Sequence, residues 1–388
     1  MKQVYLDNNS TTALDARVLE TMLPYLKDNY GNASSVHQFG RVAKTALEES
    51  REKVAALIGA EPSEIYFTSG GTESDNIAVK GAAYNNRKKK NHIITSAIEH
   101  HAVLESVKFL EKEGFQTDYL GTDRLGIVSP DSLKEKLTDS TSLVSIMHAN
   151  NEVGTIQDIA ALAELSHERG ALFHTDAVQA AGKIRVNVRE LKVDLLSMSG
   201  HKIYGPKGSG IIYIRRGTRL TPLIHGGHHE KKRRPGTEDI PAIVGFARAL
   251  ELAEECRKEE YGRWKDLSGR LIDGITEKIS EVFLNGPGDE RRIPSTVNLS
   301  FKYIEGESII LSLDMKGIAV SSGSACTSGS LDPSHVLMAM GVPVELAQGS
   351  IRFSLGRFTT RDDIDYTISV LPEIIERLRQ MSPLYDKG

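Results

Sequence analysis

Lys202 follows the strand-like run Leu195-Leu196-Ser197-Met198-Ser199, beside Gly200 and His201 and ahead of the turn Tyr204-Gly205-Pro206-Lys207-Gly208. An amine at a strand end, partly desolvated and near other cations, loses its proton more readily and becomes a nucleophile suited to Schiff-base chemistry. A lysine is by default a solvated surface residue, so the company it keeps decides. A second reactive type stands at Cys326, inside Ser321-Ser322-Gly323-Ser324-Ala325-Cys326-Thr327-Ser328-Gly329. So much serine and glycine does not pack as a core element, and the expectation is a flexible, exposed loop whose thiol can travel and react. Cys256, in a charged helical run, reads as structural or surface.

Asp176 and Gln179 fall just past the apolar run 171–174, in an expected loop. A carboxylate there could keep a pyridine nitrogen protonated, which a pyridoxal 5′-phosphate (PLP) electron sink requires; it could equally be a helix N-cap. Phe67-Thr68-Ser69-Gly70-Gly71-Thr72-Glu73-Ser74 lies between a strand and a helix, where backbone N–H groups and the helix dipole attract phosphate. It lacks the P-loop spacing, and a Gly-Gly turn capped by Thr is the plain alternative. His100, in Glu99-His100-His101, could stack on a flat ring or move protons near neutrality. A zinc site with His225, His228 and His229 competes, without H-E-x-x-H or C-x-x-C spacing behind it. Arg352, in Ile351-Arg352-Phe353-Ser354, suits bidentate capture of a substrate carboxylate or a structural ion pair.

The elements that must position these residues are short apolar runs alternating with helical periodicity, the pattern of a parallel sheet covered by helices. Strands are expected at 64–68, 92–97, 143–148, 171–174, 195–198 and 210–214, and helices at 102–112 and 159–169 among others. Polar clusters recur where strands end, and in open α/β sheets ligands bind at the carboxyl ends of strands, so these loops should converge on one site. After about residue 255 the texture changes to long charged helices, a strand-like segment STVNLSF and the Ser/Gly-rich run. A large domain over 15–255 and a smaller α+β domain from 1–14 and 256–388 are expected.

The chain has 388 residues, 39% hydrophobic and 26% charged, enough to bury a sizeable core. With 48 Lys and Arg against 52 Asp and Glu, the net charge of −4 supplies no field to recruit nucleic acid or an anionic membrane. No stretch approaches the roughly 18 apolar residues of a membrane span, and two cysteines far apart argue against a disulfide framework. A soluble cytoplasmic protein is expected.

Together these segments resemble the cysteine desulfurases of the IscS/NifS kind, within the aminotransferase class V group of fold-type I PLP enzymes. The resemblance runs from Tyr5-Leu6-Asp7-Asn8 to Arg352-Phe353-Ser354 and rests most on Ser199-Gly200-His201-Lys202, Asn150-Asn151-Glu152 and Ser322-Gly323-Ser324-Ala325-Cys326. It implies that Lys202 holds PLP as a Schiff base and then acts as base at the substrate Cα. It also implies that His100 stacks on the ring, Asp176 meets the pyridine nitrogen, and Asn151 and Gln179 contact ring substituents. Gly71, Thr72, Ser199 and His201 would lie at the phosphate, and Thr237 would reach the phosphate of a neighbouring subunit in a homodimer. Arg352 and Asn151 would bind L-cysteine, and Cys326 would take its sulfur as a persulfide. No resident metal is implied, though Cys326 could serve as a transient iron–sulfur ligand.

The persulfide would go to a scaffold protein of the IscU/NifU type or another acceptor. The chain stops at Leu384-Tyr385-Asp386-Lys387-Gly388 without the longer tail of IscS, and Gly236 follows Pro235 where IscS-like chains carry Ser; a NifS-like subtype is expected. Another PLP lyase or an aminotransferase would share Lys202 and Asp176 but needs no protein thiol. A sulfur carrier or scaffold without PLP is the rival outside enzymes, and a nucleotide-binding reading ranks last for want of its motifs.

Overall fold

The structure is a computed structural model and describes residues 2–322, 333–383 and 385. Twelve strands are present among them: β1 Val4–Tyr5, β2 Ile65–Thr68, β3 His92–Ser96, β4 Gln116–Leu120, β5 Thr141–Ser145, β6 Leu172–Asp176, β7 Leu195–Ser199, β8 Gly210–Ile214, β9 Val282–Asn285, β10 Thr296–Phe301, β11 Ile318–Ala319 and β12 Ser350–Ser354. Seven form one sheet in the order β2-β8-β7-β6-β5-β3-β4, parallel except that β8 runs antiparallel to both its neighbours. Strands β3, β5 and β7 are buried at every position, because helices cover both faces and near-continuous apolar runs are what such a sheet requires.

The other strands make an antiparallel sheet β12-β10-β9 and a short parallel pair β1-β11. Val4 and Leu6 from the N-terminus pack in one apolar cluster with Trp264, Leu271, Phe301 and Phe353. The sheet-and-helix body buries a separate cluster around Phe173, Leu196, Met198 and Phe246. Helix Ile240–Thr276 runs through both, with Phe246 and Leu250 in the second cluster and Trp264 and Leu271 in the first.

The expected strand 210–214 coincides with β8, and the expected helices 102–112 and 159–169 agree with His101–Lys112 and Ile159–Glu168 to within a residue. Edge strand β4 was not expected: four of its five positions are partly or fully open to solvent, so it carries no apolar run. The run expected over 143–148 yields a strand that ends at Ser145, after which Ile146 and His148 N–H still donate to the carbonyls of His174 and Asp176. Asp176 is the last residue of β6 rather than a loop residue, because Asp176 pairs in register with Ser197.

Candidate active site

A cavity of about 330 Å3 opens at the carboxyl ends of the parallel strands, within the size range of small-molecule and cofactor sites. Its lining draws together Gly71, Thr72, His100, Asn151, Asp176, Gln179, Ser199, His201, Lys202 and Arg352, all named from the sequence. Asn9, Ser10, Asp75, Met147 and Val178 complete it. Thr237 is exposed and does not line it, and Cys326 lies outside the described residues. Cys256 is partly exposed in helix Ile240–Thr276.

Each side chain arrives by a local rule. β7 ends in a 3-10 turn, Gly200–Lys202, which carries Lys202 off the strand; its Nζ donates to the carbonyls of Asn9 at 2.6 Å and Ser10 at 2.7 Å. Helix Gly71–Asn86 starts behind Gly70 at φ +147°, and a Cβ at Gly71 would lie 2.8 Å from Val178 Cγ2, so glycine lets the helix end approach the cavity wall. His100 caps helix His101–Lys112, with Nδ1 accepting the Ala102 N–H at 3.1 Å. The neutral ring therefore carries its proton at Nε2. Burial first, then Lys202, holds this imidazole down at about 4, so it is neutral at pH 7. His201, beside Thr11 Oγ1 at 3.2 Å, is lowered to about 4 for the same two reasons.

Asp176 is 5% exposed and its Oδ1 accepts the Val178 N–H at 2.8 Å. Burial pushes its carboxyl up to about 6, against the pull of that N–H and of Lys202. Asp75, fully buried nearby, is raised well above the usual carboxylate range by burial and by Asp176, and its Oδ1 has no hydrogen-bond partner. Glu99 behind them is raised to about 8 by burial; its Oε1 accepts from Ser96 at 2.5 Å and Met147 N–H at 2.9 Å, while Oε2 has no partner. Of these carboxyls Asp75 and Asp176 line the cavity, and a cationic or N–H-bearing group brought there would favour their charged form.

Arg352, 3% exposed, makes the structural ion pair weighed for it and also faces the cavity. Its Nη2 donates to Asp7 Oδ1 at 2.9 Å and Ser10 Oγ at 2.7 Å, its Nη1 donates to the Asn151 carbonyl at 3.1 Å, and it still lines the cavity. The chain enters the stretch containing Cys326 from Ser321, whose backbone exchanges hydrogen bonds with that of Arg352. It returns at Ser334 and His335, where Ser334 Oγ donates to Glu152 at 2.5 Å and His335 Nε2 donates to the Glu99 carbonyl at 3.0 Å. Both anchors thus sit beside cavity residues. Among the described residues no cluster of His, Cys, Asp or Glu is disposed to hold a metal ion, and no helix is long and apolar enough to cross a membrane.

Residues 4–367 match the family model for aminotransferase class V. The chain belongs to that family. It is 55% identical to the cysteine desulfurase IscS of Dictyoglomus turgidum over 98% of this chain and 97% of that one, and 53% identical to the cysteine desulfurase IscS of Clostridium botulinum over 99% and 97%. Among solved structures a NifS-like protein superposes with a TM-score of 0.92 at 42% identity, covering 97% of this chain and 100% of the other. The α/β fold expected from the resemblance is the fold these relatives share.

Sequence reasoning missed the acceptors of Lys202, Asn9 and Ser10, and the partner of Arg352, Asp7. The signal available was the polar run Asp7-Asn8-Asn9-Ser10-Thr11-Thr12 directly after the apolar Val4-Tyr5-Leu6. It also passed over Lys183, buried at 6% exposure, which looks like any other lysine in Ala180-Ala181-Gly182-Lys183.

Proposed function

We propose that this chain is a PLP-dependent cysteine desulfurase that converts L-cysteine to L-alanine and keeps the sulfur as a persulfide on Cys326. The observation that carries this reading is the convergence of Lys202, Asp176, His100 and Arg352 on one cavity beneath both anchors of the Cys326 segment. Full-length relatives named cysteine desulfurase support it.

The residues fit PLP: an amine at Lys202, a buried carboxyl at Asp176, a neutral imidazole at His100, Gln179 and Asn151 beside them, and the Gly71–Thr72 helix start with Ser199 and His201 for the phosphate. When bound, PLP would supply an electron sink for charge developing at the substrate Cα. Lys202, set on two carbonyls, takes and returns the proton at that carbon. Arg352 and Asn151 hold the substrate carboxylate. His100 enters as an Nε2–H donor toward the departing sulfur. The Cys326 thiolate attacks that sulfur; the S–S bond forms as the substrate C–S bond breaks, so cysteine and a thiol become alanine and a persulfide.

A homodimer belongs to this reading, with Thr237 reaching the phosphate of the other subunit's site. It would also cover the exposed side chains of Tyr30, Val36 and Phe39, which are 74%, 89% and 52% exposed. So do a large domain over 15–255 beside a smaller one from 1–14 and 256–388, a cytoplasmic location that suits thiol chemistry, and delivery of sulfur to an iron–sulfur scaffold or another acceptor.

The test is to incubate PLP-loaded protein with L-cysteine and a reducing thiol and to quantify alanine and sulfide together. Equal yields that depend on Cys326 are expected. Pyruvate and ammonia with sulfide would make it a lyase, alanine without sulfide would point to another PLP reaction, and no product at all would overturn the enzymatic reading.

A further inference from the structure

A second lysine lies against the first through a single residue. Lys183 Nζ donates to Asn9 Oδ1 at 3.0 Å and Gln179 Oε1 at 2.5 Å, while Lys202 Nζ donates to the Asn9 carbonyl at 2.6 Å. Gln179 Nε2 donates to that same carbonyl at 2.9 Å. Asn9 has no slack of its own, since its Nδ2 donates to the Asn151 carbonyl at 3.1 Å and Thr296 Oγ1 at 2.9 Å, and its N–H donates to Ser354 Oγ at 3.0 Å. Lys183 is brought in by a turn after β6 in which Gly182 adopts φ +68° and packs so closely that a Cβ would lie 2.6 Å from Ala253 Cβ. The two lysines also share the wall of a second cavity of about 10 Å3, at the lower edge of what one water needs, with Tyr204, Glu260 and Arg357 across it.

We propose that Lys183 is a positioning residue for Lys202: its buried ammonium fixes Asn9 and Gln179 in one arrangement and places a positive charge behind the reactive amine. This rests on the reading of Lys202 as the cofactor-bearing lysine. Lys183, Lys202 and Arg352 cannot all carry full charge cheaply in one buried network, and a like charge nearby disfavours the protonated form of its neighbour. Burial first, then Lys202 and Arg352, bring the Lys183 amine down to about 7, so it is a full ammonium acting on Lys202 only below that pH. Arg352 is compensated by Asp7, and Arg357 by Asp15 and Glu260, which leaves Lys183 as a cation acting on Lys202 beside the other titratable groups that face it, Asp176, His100 and His201.

The experiment is a pH titration of the visible absorption of the PLP-loaded protein, for wild type, Lys183→Met and Lys183→Arg. Removing the charge should move the midpoint upward by about one pH unit, and Lys183→Arg should restore it. A folded, PLP-loaded Lys183→Met whose midpoint stays within about 0.3 units of wild type would overturn the proposal, leaving Lys183 a core strut that changes Tm alone. Should Lys183→Met not fold, Lys183→Gln, uncharged but still able to donate, is read by the same criterion. Failure of the underlying reading looks different: Lys202→Ala would then keep the absorption.

Discussion

Two groups of buried charges meet at the cavity, and they are treated in opposite ways. The acids Asp75, Glu99 and Asp176 come from helix Gly71–Asn86, the turn after β3 and the end of β6, and burial raises all three. Two of them retain an oxygen without a partner. The bases Lys183, Lys202 and Arg352 are instead met by carbonyls, a hydroxyl and a carboxylate, drawn largely from the N-terminal segment Asp7–Ser10 and from Gln179 and Asn151. The basic group is therefore mostly paired within the protein, although Arg352 Nε is buried without a hydrogen-bond partner, whereas the acidic group is left wanting a positive partner.

The largest effect should come from deleting the reactive base. Lys202→Ala is expected to lose visible absorption on incubation with PLP and to lose turnover by at least about a thousandfold, read by spectrum and alanine release; an unchanged spectrum would break the assignment. Cys326→Ala should keep the spectrum and lose sulfur labelling of the protein, and labelling that persists would move the acceptor thiol elsewhere. Asp176→Asn, on the acidic side, should retain the cofactor yet slow alanine formation by about a hundred- to a thousandfold; a normal rate would remove the need for a negative charge there.

Arg352→Lys keeps the charge but loses the fork, so KM for L-cysteine should rise about ten- to a hundredfold with a smaller change in kcat. The smallest effect sharpens the acidic side. Below pH 4.5 Glu99 holds its proton whether folded or unfolded, and between there and about 8 the unfolded chain releases it while the folded chain retains it, so stability falls as pH rises. Glu99→Gln should therefore raise Tm by about 1–3 °C at pH 8 and leave it unchanged at pH 4, measured by calorimetry across that range.

Much of the site was legible because it is built from strand ends. An apolar run that stops at a polar cluster marks a β–α corner, and Lys202, Asp176, His100 and Thr72 each follow such a run, so their convergence is implied by a parallel sheet before any contact is known. The edge strand β4 escaped because solvent on it erases the apolar signal. Asp7, Asn9 and Lys183 escaped for another reason. Their chemistry depends on partners 345, 193 and 174 residues away in the chain, and no local pattern encodes such a pairing.

The sequence by itself determined the alternation of buried strands and helices, and the identity of the amine, carboxylate and imidazole offered at the strand ends, since these follow from local periodicity and residue type. Only the tertiary structure decided that the N-terminal segment closes the basic side, that Arg352 is already paired with Asp7, that His100 holds its proton at Nε2, and that Lys183 is buried behind Lys202. Burial and long-range hydrogen bonding set charge states, and neither exists until distant segments pack together.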